Sequence, residues 1–383
     1  MKVAIIGTVG VPARYGGFET LVDNLARFHE AQEVDCELVI YCSAKAYHER
    51  PENFLGASLI YLPLHANGAQ SLAYDLWSML SAWRHGADVI LVLGVSGAIG
   101  IPLLRMLSSM RIVTNVDGIE WKRAKWQGLS RWFLRLSERV ASKWSHSIIA
   151  DNVEIARHIS SAYGVECSVI PYGGDHVLQM KPSTTAAEIG LPPRYALSIC
   201  RIEPENNVAM IAEAFAWQEA LPLVFVGNWE SSAYGREIRR SYAGKAHLHL
   251  LDPIYDAGKL SALRNNATVY VHGHSAGGTN PSLVEAMHCH AVILAFDCGF
   301  NRATTEDAAA YFTNANQLRR LLERIDAGDL TLRRGAMKKI ADRRYRWPVI
   351  ARQYFDLLGC PEQAVGPNLH KEDQRADTKN GDR

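Results

Sequence analysis

Short apolar runs alternate with helical patterns along nearly the whole of this chain, and the alternation restarts once. Residues 3–7, 36–41, 58–62, 89–93, 111–116 and 147–150 read as strands. Between the first two, Phe18, Leu21, Val22, Leu25 and Phe28 recur at the spacing of one helix face. Strands that alternate with helices imply parallel pairing through right-handed crossovers. After Tyr172-Gly173-Gly174-Asp175 a second strand set follows, at 195–200, 221–226, 248–251, 268–272, 292–296 and 310–312. The stretch between the sets, 179–193, is rich in Pro, Ser, Thr and Ala. The expectation is an α/β chain of two doubly wound, Rossmann-like domains facing across a cleft. The first spans 1–172 and the second 173–342. Within 343–360 a last helix, carrying Trp347, Ile350, Tyr354 and Leu357 at helical spacing, packs back on the body. The polar segment 361–383 is expected to be disordered. A length of 383 residues suits two domains. In such sheets ligands bind beyond the carboxyl ends of the strands, so the site is expected in the cleft.

Composition narrows the function. A formal net charge of +1 gives no argument for nucleic-acid binding by the whole chain. Seven widely spaced cysteines with no C-x-x-C do not read as a disulfide framework and fit a reducing, cytoplasmic setting. The first residues lack a signal-peptide apolar region and read as a first buried strand. The apolar stretch 89–110 is interrupted by Gly94, Gly97, Gly100 and Pro102. A buried strand, a glycine turn and a short helix explain it better than a membrane span.

Candidate site residues follow the strands. Gly16-Gly17 precedes a helix after the first strand, where backbone N–H groups and the helix N-terminus suit a diphosphate. Gly7 and Gly10 give only G-x-x-G, and no acid ends the second strand to hold a ribose, which counts against NAD. In the second half, Arg201 sits where a strand end meets the cleft and suits a leaving diphosphate. Gly278-Thr279-Asn280 makes a tight loop, and Pro281-Ser282 opens a helix whose free N–H groups would point at phosphate. Glu285, one turn inside, is placed to accept from two ribose hydroxyls and, if buried, needs a partner. His272, His274, His288 and His290 lack a ligand spacing that supports a metal. No D-x-D triplet occurs, so no metal or cofactor is expected, with phosphate charge met by Arg and helix dipoles.

Together these segments resemble retaining family-4 glycosyltransferases of the GT-B fold, nearest to a bacterial rhamnosyltransferase branch. The motifs are PARYGGFET at 12–20, NVDGIEWKRAKW at 115–126, RIEPENN at 201–207 and HSAGGTNPSLVEAM at 274–287. The resemblance implies that Gly16 and Gly17 line the donor diphosphate and that Arg201 contacts it. It implies that Glu285 holds the ribose, that Gly278, Thr279 and Asn280 face the donor sugar, and that Asp117 lies in the acceptor cleft. It further implies transfer of a sugar, rhamnose on dTDP or a UDP-sugar, with retention and without a metal. The acceptor would be a glycan or a polyprenyl-diphosphate-linked one, in cell-surface polysaccharide synthesis. Two positions depart from the wider family: Gly277 replaces a Glu eight residues before Glu285, and Asn206 replaces a Lys five residues after Arg201.

The stretch 121–144 interleaves Trp121, Trp126, Trp132 and Trp144 with seven basic residues against one acid, Glu138. Trp and basic residues favour a lipid headgroup surface, so peripheral contact with the inner membrane through 121–144 is expected. A solvated basic face over core aromatics explains the same pattern. The rival functions are a sugar-nucleotide epimerase and a non-catalytic sugar-nucleotide-binding protein.

Overall fold

The computed structural model describes residues 1–360 except 14–15, 124–125, 186, 218–220 and 327–333. The expected disordered tail, 361–383, lies outside the described residues. The first sheet is built from β1 (Lys2–Ile6), β2 (Glu37–Ser43), β3 (Asn53–Phe54), β4 (Ala57–Leu62), β5 (Val89–Leu93), β6 (Arg111–Asn115), β7 (Ser147–Ala150) and β8 (Ser168–Val169). Its order is β3-β4-β2-β1-β5-β6-β7-β8. All pairs are parallel except β3 with β4. Every residue of β5 is buried, as expected for a parallel strand covered by helices on both faces. The chain winds outward from β1 and returns at β5, so the crevice between their carboxyl ends is a topological switch point. Gly7 makes that crevice tight: its φ is 83°, and a Cβ there would stand 2.1 Å from the Leu93 carbonyl oxygen.

The second sheet contains β9 (Ala196–Ile199), β10 (Leu223–Val226), β11 (Leu248–Leu251), β12 (Val269–His272), β13 (Val292–Phe296) and β14 (Ala310–Phe312). They run in the order β11-β10-β9-β12-β13-β14, all parallel. Its switch point lies between β9 and β12. Arg201 follows the first of these strands and His274 the second, which is why two distant sequence motifs meet.

The apolar stretch 89–110 forms β5 and the helix Ile101–Leu107, with Pro102 in its first turn. Among the described residues no helix is long and apolar enough to cross a membrane. The expected last helix begins later than its periodicity suggested: Arg334–Arg344 is a separate helix, and Trp347–Leu358 starts afresh with Pro348 in its first turn. Trp347, Ile350, Tyr354, Phe355 and Leu358 are buried in the core of the first domain, not the second. Phe355 stacks on Phe28 with ring centroids 5.9 Å apart, and Asn115 Nδ2 donates to the Tyr354 hydroxyl at 2.6 Å. Full burial of each such large apolar side chain is worth about 1.5–3 kcal/mol.

The chain therefore crosses between domains twice, and the two crossings hold each other. Gly174 N–H donates to the Tyr345 carbonyl at 2.8 Å, and Trp347 N–H donates to Asp175 Oδ1 at 2.7 Å.

Candidate active site

The loops beyond the two switch points meet across the domain boundary, as the walls of the expected cleft would. On the first wall, Gly16 caps the helix Gly17–Ala31 with φ 127°, a conformation that favours glycine. A Cβ on Gly17 would meet nothing closer than 3.5 Å, so open space rather than strain accounts for that residue. The first turn of this helix already carries a buried acid. Glu19 Oε1 accepts from Val9 N–H at 2.8 Å and from the Thr8 hydroxyl at 3.1 Å.

Asp117 follows β6 with φ 55°, and its N–H donates to Asn115 Oδ1 at 2.9 Å. Burial and the neighbouring Glu120 carboxylate push its carboxyl upward, while Arg123 and Arg201 pull the other way. One strand over, Asp151 follows β7 and is 2% exposed. Its Oδ1 has no hydrogen-bond partner. Burial and then the Asp117 charge raise Asp151 well above the usual carboxylate range, against the Thr279 backbone N–H that lowers it. Burial and the neighbouring Asp117 charge therefore both favour the protonated form of Asp151.

The opposing wall touches this pair. A Cβ on Gly278 would lie 1.9 Å from Asp151 Oδ1, and one on Gly118 would lie 3.1 Å from Gly277 Cα. Thr279 is buried, and its hydroxyl donates to the Asp151 carbonyl at 2.6 Å. Asn152 Nδ2 reaches the Phe300 carbonyl and the Thr304 hydroxyl, each at 3.3 Å. Gly278 and Thr279, expected to face a donor sugar, form the contact between domains at this point.

Arg201 is open to the cleft. Its side chain is 46% exposed, and its ion pair, with Glu203, is long at 3.8 Å. Its backbone is fixed: Asn206 Nδ2 donates to the Arg201 carbonyl at 2.7 Å. The same amide orders a histidine. With its NH₂ committed, Asn206 Oδ1 accepts from His274 Nδ1 at 2.6 Å, which leaves a bare lone pair on Nε2. Burial, then Arg123 and Arg201, drive the His274 pKa down to about 3, so the ring is neutral. Gly277 has φ 138°, and a Cβ there would sit 2.6 Å from His274 Nε2. The two departures from the wider family pattern, Asn206 and Gly277, thus meet at one side chain.

Asn280 and Ser282 are placed differently from the expectation. Asn280 is the N-cap of the helix Pro281–His288, and its Oδ1 accepts from Ser282 N–H at 3.0 Å and Ser282 Oγ at 2.8 Å. Leu283 N–H is taken by the Asn280 carbonyl. Pro281, at the first helical position, has no N–H to offer. The N–H groups expected to be free for phosphate are therefore satisfied within the helix cap.

Glu285 is buried, and its expected partners are present. Arg264 Nη2 donates to Oε2, and His176 Nε2 stands 3.3 Å from Oε1. His176 Nδ1 accepts from Trp347 Nε1 at 3.0 Å, so its proton sits on Nε2 and points at the carboxylate. Burial alone would push Glu285 upward; the Arg264 charge and the His176 hydrogen bond outweigh it and hold the carboxyl below its usual range.

Arg123, Asp151, Asn152, Arg264 and His176 were not singled out as site residues. Arg123 carried a misleading signal, since it belongs to the basic stretch expected to face lipid. Its side chain is only 13% exposed and pairs with Glu120 at 2.9 Å. Asp151 ends a strand, as the expected site residues do, but no neighbouring motif marked it. Among the described residues no three His, Cys, Asp or Glu side chains stand together as a metal site.

Two Rossmann-like domains with facing switch points define the GT-B fold of glycosyltransferases. Residues 185–328 match the family described as glycosyl transferases group 1. Residues 1–175 match a family described as a domain of unknown function (DUF1972). None of the curated proteins compared matches the chain. Among solved structures, a sucrose-phosphate synthase from Thermosynechococcus elongatus is similar, with a TM-score of 0.78 at 17% identity, over 93% of this chain and 98% of that one. Anabaena Alr3699/HepE in complex with UDP-glucose aligns with a TM-score of 0.72 at 15% identity, over 94% and 99%. The catalytic domain of starch synthase IV from Arabidopsis thaliana, bound to ADP and acarbose, aligns with a TM-score of 0.70 at 15% identity, over 94% and 98%. At these identities the likeness establishes the fold.

Proposed function

We propose that this chain is a retaining hexosyltransferase that moves rhamnose from a dTDP- or UDP-linked donor to a lipid-linked or polysaccharide acceptor, in cell-surface polysaccharide synthesis. The observation that carries the reading is Arg201: an exposed guanidinium on a pinned backbone, at the second domain's switch point, close enough to Asp117 of the first domain to act on its charge. A fixed cation in a cleft stabilises charge that develops on a departing diphosphate. HepE, which shares the fold, was crystallised with UDP-glucose, in keeping with a nucleotide-sugar donor.

In this mechanism the acceptor hydroxyl attacks the anomeric carbon from the face the diphosphate leaves. The C–O bond to the diphosphate breaks as the new glycosidic bond forms. The acceptor proton passes to a donor phosphate oxygen, and Arg201 takes up the growing negative charge. Asp117, with Asp151 favouring its protonated form one strand over, orients acceptor hydroxyls. Glu285 receives the ribose hydroxyls on lone pairs left free by Arg264 and His176. Neutral His274 offers its Nε2 to a sugar hydroxyl, a role that a carboxylate at 277 would otherwise fill. Gly16 and Gly17 approach the diphosphate from the opposite wall. Catalysis of this kind asks nothing of a metal.

The test is thermal stabilisation by dTDP, UDP, GDP, ADP and NAD, followed by product analysis with dTDP-rhamnose and a polyprenyl-diphosphate sugar. Stabilisation by dTDP or UDP and a new glycoside with unchanged anomeric configuration are expected. An isomerised donor without glycoside would identify an epimerase. Nucleotide binding without turnover would identify a binding protein.

A further inference from the structure

Three helices cover one face of the first sheet: Ser71–Arg84, Ile101–Leu107 and Gly128–Trp144. Their inner sides pack into a single core with β1, β5 and β6 through Tyr74, Met79, Ile101, Leu104 and Ala141. Their outer sides are also apolar. On the first helix Trp77, Leu80 and Trp83 are exposed at helical spacing. On the second, Leu103 is 61% and Met106 77% exposed. On the third, Leu129 is 85% and Trp132 63% exposed. Helices of a water-facing surface are polar on that side, and contiguous exposed apolar surface of this kind marks an interaction site.

The charges on the same three helices are one-sided. Their two acids, Asp75 and Glu138, are 3% and 2% exposed. Glu138 is spent on Trp121, His158 and Tyr163, which all donate to it. The exposed charges, Arg84, Arg105, Arg131, Arg135, Arg139 and Lys143, are all positive. Arg131 and Arg135 lie over the Trp121 ring, with their charged ends beside the apolar surface.

We propose that this three-helix face docks on an anionic lipid bilayer. Exposed Trp, Leu and Met inserted at the headgroup boundary, on helices whose exposed charges are all Arg or Lys, match a surface that is apolar below and negative above. The charge pattern also disfavours the obvious alternative. Two copies of this face packed against each other would bring like charges together with no acid to relieve them. The surface is larger than the 121–144 stretch that the sequence marked, and it excludes part of it, since Arg123 and Glu120 turn toward the cleft. The inference goes beyond the proposed reaction and does not need it, because bilayer binding requires no donor.

The experiment is sedimentation of the full chain with vesicles of phosphatidylethanolamine containing 30 mol% phosphatidylglycerol, or with phosphatidylcholine vesicles. Tryptophan quenching by brominated acyl chains is read on the wild type in parallel. Binding to the anionic vesicles alone, weakened by salt and accompanied by quenching, is expected. Trp77→Glu with Met106→Glu should reduce it at least tenfold, and Arg84→Ser with Arg139→Ser should reduce binding while flattening its salt dependence. Trp217→Glu, at a residue 75% exposed on the second domain, should bind like wild type. No binding and no quenching in the wild type would overturn the proposal. So would a dimer that the Trp77→Glu, Met106→Glu variant converts to monomer by light scattering, which would make the face a subunit interface. Nucleotide-dependent thermal stabilisation, measured without vesicles, reports on the transferase reading separately.

Discussion

Arg264→Met strips Glu285 of the cation that lets a carboxylate sit where it is 9% exposed. Breaking a buried pair from one side costs about 3–5 kcal/mol, because the remaining charge is left uncompensated. At about 2–4 °C per kcal/mol for a domain of this size, the melting temperature should fall by roughly 6–20 °C at pH 8. The pH dependence gives a sharper signature. In the wild type Glu285 is held below its ordinary pKa, so its contribution is present above the unfolded value and is lost as pH falls through the folded one. Without Arg264, burial becomes the dominant influence and the folded pKa rises above the unfolded value. The sign then reverses: the variant is least penalised at low pH and loses stability as pH rises through the new folded pKa. Calorimetric melts of both proteins at pH 5 and pH 8 should therefore show a gap that widens at the higher pH. Arg264→Met combined with Glu285→Leu should recover most of the loss. A single variant that melts within 2 °C of wild type, or a gap equal at both pH values, would refute this account of the pair.

Arg201→Ala should lower kcat/KM by roughly 10²–10³-fold and leave the melting temperature nearly unchanged, since the side chain is exposed and weakly paired. Steady-state kinetics beside a melt reads both, and an active variant would remove Arg201 from the mechanism. Asp151→Asn should raise the melting temperature at pH 8 but not at pH 4. A carboxyl with a raised folded pKa favours the fold below its unfolded value and loses that contribution as pH rises. The same variant should lose activity, so a stabilised and fully active Asp151→Asn would show the pair to be structural. His274 should keep one tautomer, protonated on Nδ1, from pH 5 to pH 8 by ¹⁵N NMR, and Asn206→Ala should release it. A His274 that titrates near pH 6.5 would contradict the buried relay.

The strands were legible because parallel strands buried on both faces are written as continuous apolar runs, and each of the twelve marked runs overlaps a strand. The two not anticipated, β3 and β8, have two residues each, too few to show a period. The helix Trp347–Leu358 was legible as an amphipathic element, but not the domain whose core it completes, because periodicity gives a face and not a partner. At the site, Arg201 and Asp117 follow the strand ends that marked them, and Glu285 is buried in the helix that marked it. The cap at Asn280 was misread because a Pro-Ser helix start looks the same whether its N–H groups meet a ligand or the preceding Asn. Arg123 was misread because local sequence cannot tell a basic residue turned into a cleft from one turned to solvent. Asp151 carried no motif; its character comes from burial against Gly278, a contact between residues 127 positions apart in the chain.

The helix Trp347–Leu358 also sets an order of events during synthesis. Its aromatic and aliphatic side chains fill the first domain's core, yet they follow the end of that domain's sheet by a whole second domain. At translation rates of about 5–20 residues per second, the nascent first domain waits on the order of 10–35 s for the segment that closes it. Until that helix emerges the surface around Phe28 lacks the partner it has in the finished fold, which predicts chaperone dependence of the nascent first domain. A chain that stops before Trp347 should stay in that condition, however complete its second domain.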